Sequence, residues 1–159
     1  MFSLLGQLES SALSTWIRES NAIYAFPGIL IVHTLGMALA AGSTAATGLR
    51  LLGIARQIPI ASLRELVTVA WIGLLLNIGS GILLVVAYPT KALTNPIFYV
   101  KLVAIAAAVA VIRHLDRRVL VTEVAPRKLV SAALLVLTAL AIVTGRLLPY
   151  TYRHLMAGY

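Results

Sequence analysis

Four long apolar stretches dominate the pattern of hydrophobic and polar positions along this chain. They cover about 22–54, 66–87, 95–120 and 129–148. Each can form a helix that crosses about 30 Å of hydrocarbon, which takes roughly 20 helical residues. The pattern therefore predicts four transmembrane helices.

Prolines mark three of the predicted helix ends. Pro89 ends the second stretch, because proline lacks an N–H and clashes with the preceding turn. Asn95 and Pro96 predict the start of the third, as a polar cap followed by proline at the first helical position. Pro149 predicts the end of the fourth helix.

The segment 1–21 has a different pattern from the four stretches. Its apolar run is too short and too interrupted for a signal peptide, and a positive N-terminal region is missing. Leu8, Leu13, Trp16 and Ile17 recur at helical spacing with charged residues on other faces. We expect an amphipathic helix in the membrane interface, with Trp16 among the head groups. The expected organisation is this helix followed by one bundle over 22–159, an all-α fold.

The composition agrees with a membrane protein. Hydrophobic residues make up 60% of the chain and charged residues 11%, against about 25% charged in soluble domains. The net charge of +8 suits basic loops on an anionic lipid surface better than nucleic-acid binding. Cysteine is absent, which excludes disulfides, cysteine-bound iron–sulfur clusters and covalent haem attachment.

Loop charges predict the orientation in the membrane. The second loop offers only Lys91, whereas the first and third loops are strongly basic. The positive-inside rule puts loops one and three in the cytoplasm and both termini outside, in a bacterial cytoplasmic membrane. The basic residues in question are Arg50, Arg56 and Arg64 in loop one, and Arg113, Arg117, Arg118, Arg127 and Lys128 in loop three.

Polar residues at membrane depth are the candidate functional residues, because they are costly there and usually face a partner or a cofactor. Counting 1.5 Å per residue from the predicted helix ends sorts them into two groups. The outer group is His33, Asn77, Lys101 and Arg146, and the inner group is His114, Arg113 and Arg50.

The outer group suggests a haem b site. His33 would be the axial ligand, since imidazole is a common ligand of haem iron. Lys101 and Arg146 would pair with the propionates, and Asn77 lies at the depth of His33. His114 would ligate a second haem, with Arg113 and Arg50 beside it. The two histidines differ by about 12 Å in depth, so we expect one or two separate haems rather than one haem between them.

Each feature also has a plainer interpretation. A buried imidazole often bonds only to a neighbouring helix, and Lys101 and Arg146 can extend to the interface. The outer group would then belong to a cofactor-free channel, carrier or structural subunit. A third possibility is copper handling by His33 and Met37, which are spaced i, i+4.

Motifs for hydrolysis or phosphate binding are missing from the sequence. An electron carrier or redox sensor is therefore favoured over a hydrolase or transferase, and whether the chain is an enzyme stays open.

Lys101 and His114 are thirteen residues apart and point about 140° away from each other. Because they cannot both face one central cavity, we expect one of them to face another subunit of a symmetric homo-oligomer. The other expected partners are the lipid bilayer and a redox protein or quinone, and we expect no nucleic acid.

A series of short motifs resembles an uncharacterised bacterial family of four-helix membrane proteins. That family usually has an acid before its L-R-L-L-G segment, where this chain has Gly48. The resemblance implies the four-helix fold and singles out five residues, but it implies no activity. A separate similarity to membrane b-type cytochromes concerns the architecture only. The motifs are His33-Thr34-Leu35-Gly36, Leu49-Arg50-Leu51-Leu52-Gly53, Ser80-Gly81, Asn95-Pro96 with Phe98 and Lys101, and Gly145-Arg146-x-x-x-Tyr150; the singled-out residues are His33, Arg50, Lys101, His114 and Arg146.

Overall fold

The computed structural model describes residues 2–54, 56–122 and 128–156, and the side chains at these positions except 2–4, 116–122, 149 and 152–156. The described residues form helices and connecting turns. The helices are α1 (Phe2–Glu9), α2 (Ala12–Glu19), α3 (Phe26–Leu51), α4 (Leu63–Ala87), α5 (Pro89–Leu93), α6 (Pro96–Thr122) and α7 (Lys128–Met156), with a short 3-10 turn (Ile60–Ser62) before α4.

Helices α3, α4, α6 and α7 are long and apolar enough to cross a membrane. Much of their apolar surface faces outward, and Leu75, Val103 and Val136 are about two-thirds exposed. Soluble monomers rarely expose large contiguous apolar surfaces. The prediction of an all-α chain with four long apolar helices is therefore confirmed.

The four long helices form a ring in which neighbouring helices pack along each other over different lengths. Helix α3 packs along both α4 and α7, and α6 packs along α7, whereas α4 and α6 meet over a much shorter stretch. We call the end of the bundle where α4 leads into α6 the Tyr88 end, and the opposite end the Gly53 end. The centre of the bundle is consequently least well covered between α4 and α6.

Two glycines let α3 and α4 approach backbone to backbone. A Cβ at Gly73 would lie 2.5 Å from the backbone nitrogen of Ala40, and a Cβ at Gly36 would lie 2.9 Å from the carbonyl oxygen of Gly73. Small residues permit such approach between helices in lipid, where close packing and interhelical hydrogen bonds drive association.

The L-R-L-L-G segment forms the end of α3. Gly53 has a φ of +94°, which glycine adopts without the steric cost of a side chain. Its N–H donates to the carbonyl of Arg50 at 3.0 Å, and the N–H of Ile54 donates to that of Leu49 at 3.1 Å. These are the two bonds of a Schellman motif, so this segment stops the helix.

The predicted start of the third long helix is confirmed. Helix α6 begins at Pro96, and the Oδ1 atom of Asn95 accepts a hydrogen bond from the N–H of Ile97 at 3.0 Å. Asn95 is 1% exposed, and its amide donates to Thr151 Oγ1 at 2.9 Å. The cap therefore also joins the start of α6 to α7.

The predicted end of the fourth helix at Pro149 is wrong, because α7 continues to Met156. Pro149 lacks the N–H that would donate to the carbonyl of Gly145 one turn earlier, a loss that long apolar helices tolerate. The adjacent Leu148 carbonyl accepts from the Asn95 amide at 3.3 Å and from the Thr151 hydroxyl at 3.3 Å, which joins this part of α7 to the start of α6.

The segment 1–21 contains two short helices where one was predicted. The break falls at Ser10 and Ser11 because Ser11 caps α2, its side chain accepting from the N–H of Ser14 at 3.3 Å. Ile17 is fully buried against α3 and α4. Arg18 donates to the carbonyl of Ala87, the last residue of α4, at 3.1 Å. One face of α2 is thus attached to the Tyr88 end.

We predict that Gly73→Ala destabilises the bundle by about 1–3 kcal/mol, because the added methyl group would overlap the α3 backbone. Gly79→Ala on the same helix is the matched control, since nothing lies within 4 Å of a Cβ there. Thermal unfolding in detergent measures both. Equal effects of the two substitutions would contradict the role given to the α3–α4 contact.

Candidate functional site

His33 lies at the interface of α3 and α4, on the Tyr88 side of the glycine contact. Its Nδ1 atom is 3.0 Å from Ser80 Oγ. The Ser80 hydroxyl donates to the carbonyl of Leu76 at 2.6 Å, so its oxygen accepts the hydrogen bond from Nδ1–H. From this arrangement we infer that the neutral imidazole carries its proton on Nδ1 and its lone pair on Nε2.

Asn77 contacts the same histidine from the next turn of α4. Its Nδ2 atom donates to the backbone carbonyl of His33 at 3.0 Å and is 3.5 Å from Nε2. The second distance is too long for a strong hydrogen bond. The lone pair of Nε2 therefore keeps most of its capacity to accept a proton, a hydrogen bond or a metal.

Gly81 makes room for the imidazole ring. A Cβ at this position would lie 3.3 Å from His33 Cε1, tighter than most side-chain contacts. The Ser80-Gly81 pair thus supplies both the hydrogen-bond acceptor for His33 and the space for its ring. Ser80 was not among the predicted site residues; its spacing of three from Asn77 on the same helix was the signal for it.

Lys101 reaches this region from α6. Its side chain crosses to α7, where the Nζ atom would lie 3.4 Å from a Cβ at Gly145. It lines a cavity together with Asn77 and is near enough to His33 to interact with it electrostatically. We call His33, Asn77, Ser80 and Lys101 the polar cluster.

The cavity lies between all four long helices and measures about 80 Å³. Its walls are almost entirely apolar, and the polar residues in its lining are Thr44, Asn77, Lys101 and Thr138. The Thr138 hydroxyl, also in the lining, donates to the carbonyl of Leu134 in its own helix at 2.8 Å. The apolar lining includes Met37, Ala40, Leu74, Ala108 and Ala141.

The fourth residue of the outer group, Arg146, is exposed and stands apart from the cavity lining. Of the inner group, His114 and Arg113 are also exposed. The Arg113 guanidinium lies over the Trp71 ring at 5.6 Å, and Arg50 donates to the carbonyl of Ile58 in the first loop. Within the described residues, no hydrogen bond or ion pair joins the inner group into one site.

The described residues contain no group of three or more His, Cys, Asp or Glu side chains that can hold a metal ion. One histidine suffices as an axial ligand of haem, so this bears on non-haem metals. For copper, His33 and Met37 are on one helix, but Met37 lines the cavity whereas His33 does not. The geometry gives no added support to a shared copper site.

The four apolar helices indicate a helical membrane protein, here one with a half-buried histidine beside a lysine at membrane depth. Comparison with protein-family models, with curated proteins and with solved structures found no match to this chain. The resemblance to the four-helix bacterial family thus stays a prediction.

We predict that Ser80→Ala changes the tautomer of His33. The wild-type imidazole should carry its proton on Nδ1, and loss of the Ser80 oxygen removes the acceptor that fixes it there. Solid-state NMR of ¹⁵N-histidine-labelled protein measures this, with His33→Gln identifying the resonance. Ser43→Ala, which removes hydroxyl bonds within α3 only, should change nothing. An unaltered tautomer in Ser80→Ala would contradict the assignment.

Proposed function

We propose that this chain is a haem b-binding membrane protein of electron transfer or redox sensing, with His33 as an axial ligand. One observation supports this most directly: His33 Nδ1 lies 3.0 Å from the Ser80 hydroxyl, which itself donates to Leu76, so Ser80 is placed to accept from Nδ1–H and leave the lone pair on Nε2. Histidines that ligate metals usually donate their other ring N–H to such a partner, which fixes the tautomer and the ring orientation.

In this proposal the chain's own residues would ligate the cofactor, orient it and neutralise the charge of its propionates. His33 would ligate the iron, Ser80 would hold the ring, and Lys101 would pair with a propionate carboxylate. Arg146 would meet the other propionate at the Tyr88 end. Haem, when bound, supplies one-electron redox chemistry.

The space available limits how haem can bind. The cavity of about 80 Å³ is well below the roughly 300–1,000 Å³ of pockets for drug-sized ligands and cofactors, and His33 is outside its lining. The macrocycle therefore requires α4 and α6 to move apart, or it must lie against the exposed part of the His33 ring. A second copy in a symmetric homo-oligomer would cover that part.

The second proposed haem site is at His114, in the inner group. His114 is exposed, so a second haem there would also need cover from another subunit or a redox partner, with Arg113 and Arg50 near its carboxylates. A lipid-soluble quinone is the alternative electron partner.

The same structure supports a second candidate, a cofactor-free carrier, channel or structural subunit. Its specific support is the cavity itself, which all four long helices line and whose wall includes a lysine side chain. Here the contacts of His33 with Ser80 and Asn77 would serve to join α3 to α4.

An absorption spectrum separates the two candidates. Protein purified from cells with adequate haem should show a Soret band that sharpens on dithionite reduction. His33→Ala should lower the haem-to-protein ratio at least about tenfold if one haem is bound, and His114→Ala should leave the outer haem in place. A colourless wild-type protein would refute haem binding, and full haem content in His33→Ala would refute the ligand.

The proposed orientation places both termini outside the bacterial cytoplasmic membrane, with α1 and α2 in the interface. Trp16 is 45% exposed beside Tyr24, with ring centroids 6.1 Å apart, and such aromatic side chains favour the head-group region. The basic first loop would lie in the cytoplasm.

We predict that a membrane-impermeant maleimide labels Asn21→Cys in intact cells but labels Gln57→Cys only after permeabilisation, because the positive-inside rule retains the basic first loop inside. The chain has no cysteine, so unlabelled wild type is the blank. The opposite labelling pattern would show that the first loop lies outside and the termini inside, against this proposal.

A further inference from the structure

Lys101 is a cation within a span that is otherwise almost free of charge. The Pro96–Leu115 segment is apolar enough to cross a membrane, and an ammonium group at that depth is costly unless it is paired. Among the described residues, the ion pair found is Arg18 with Glu9 at the Tyr88 end, and no described acceptor bonds to Lys101 Nζ. No described residue accepts from its three N–H donors, which leaves them able to bond to a ligand.

The Lys101 side chain turns toward α7. It lies across the face of α7 at Gly145, where the absence of a side chain leaves space for its Cε and Nζ atoms, and it forms part of the wall of the central cavity. The ammonium group therefore lies at Gly145, and the side chain that carries it forms part of the wall of a partly open apolar space.

The other polar groups of the cavity lining donate elsewhere. Asn77 donates its amide to the backbone of His33, and the Thr44 and Thr138 hydroxyls donate to carbonyls of their own helices. Of the described residues that line the cavity, Lys101 is the cation, and no hydrogen bond or ion pair joins its ammonium group to another described residue. One unpaired cation against apolar walls is suited to an anionic head on an apolar body.

We propose that the central cavity binds the carboxylate end of a lipophilic molecule, with Lys101 as its ion-pair partner. A carboxylate neutralises the ammonium group, whereas a neutral carbonyl leaves a buried net charge. The cavity holds only the head of such a molecule, and its apolar remainder would extend between α4 and α6, the least-packed pair of the ring. The inference does not require haem.

Two sources can supply this carboxylate: a fatty acid of the bilayer, or a propionate of the haem proposed above. Both would place the same group on Lys101. They differ in whether a free fatty carboxylate still binds once haem is present.

The test uses full-length protein in phosphatidylcholine nanodiscs, with radiolabelled decanoate as the probe and empty nanodiscs as the partition blank. Haem-free wild type and Lys128→Met, which removes an exposed lysine at the Gly53 end, should bind decanoate saturably. Lys101→Met should bind at least about tenfold more weakly, the loss expected for a charge-assisted contact, while Lys101→Arg, which keeps the cation, should retain binding. Decanol should not compete with decanoate.

Saturable binding that survives in Lys101→Met, or competition by decanol equal to that by decanoate, would overturn the inference. A wild type without saturable binding would overturn it as well. In haem-loaded protein, loss of decanoate binding that His33→Ala restores identifies the propionate as the source, and unchanged binding identifies the fatty acid. If the protein takes up no haem but binds decanoate through Lys101, the proposed function fails and this inference stands.

Discussion

The contact of α3 with α4 at Gly36 and Gly73 is the constraint on which the rest of the bundle depends. The Cβ positions of both glycines fall within 3 Å of opposing backbone atoms, so the two helices approach this closely because neither position carries a side chain. In lipid, where apolar side chains gain little by leaving one apolar environment for another, such close packing is the main attraction between helices. The register then determines which polar side chains of α3 and α4 face each other.

The polar cluster follows from that register. One turn from the glycines, His33 of α3 meets Asn77 and Ser80 of α4, and each of these side chains finds a hydrogen-bond partner within the pair of helices. Satisfied polar groups of this kind are tolerated inside a membrane protein, whereas unsatisfied ones are costly. Lys101 is the exception, since it enters from α6 and its ammonium group has no such partner among the described residues. The α3–α4 half of the cluster is thus complete, and the α6 half is open to a ligand.

The packing between helices is also tighter on the α3–α4 side of the bundle than on the α4–α6 side. Helices α3 and α4 pack along most of their length, and at the Tyr88 end Arg18 and Ser14 of α2 both donate to the terminal carbonyl of α4. Helices α4 and α6 share little contact, and the cavity lies beside this sparsely packed side. Local opening needs least free energy where few packed contacts are lost. This is the side on which a macrocycle or an apolar chain would enter.

Much of the fold could be predicted from the sequence, because the number of spans depends on the length of apolar runs, and because Asn95-Pro96 carries a local start signal that neighbours do not alter. The depth of His33, Asn77 and Lys101 followed from the same counting. Local signals gave the wrong result at two places. Helix α7 continues past Pro149, where Asn95 and Thr151 bond to the Leu148 carbonyl. In the segment 1–21, the Ser11 cap divides the one expected helix into two. Which of the polar residues meet was settled by tertiary packing: Arg146 and His114 share the polar character of Lys101 and His33 but are exposed. Sequence spacing gives the depth and relative angle of residues along one helix, and the face that each helix turns to its neighbour depends on contacts, such as those of Gly36 and Gly73, between residues far apart in the chain.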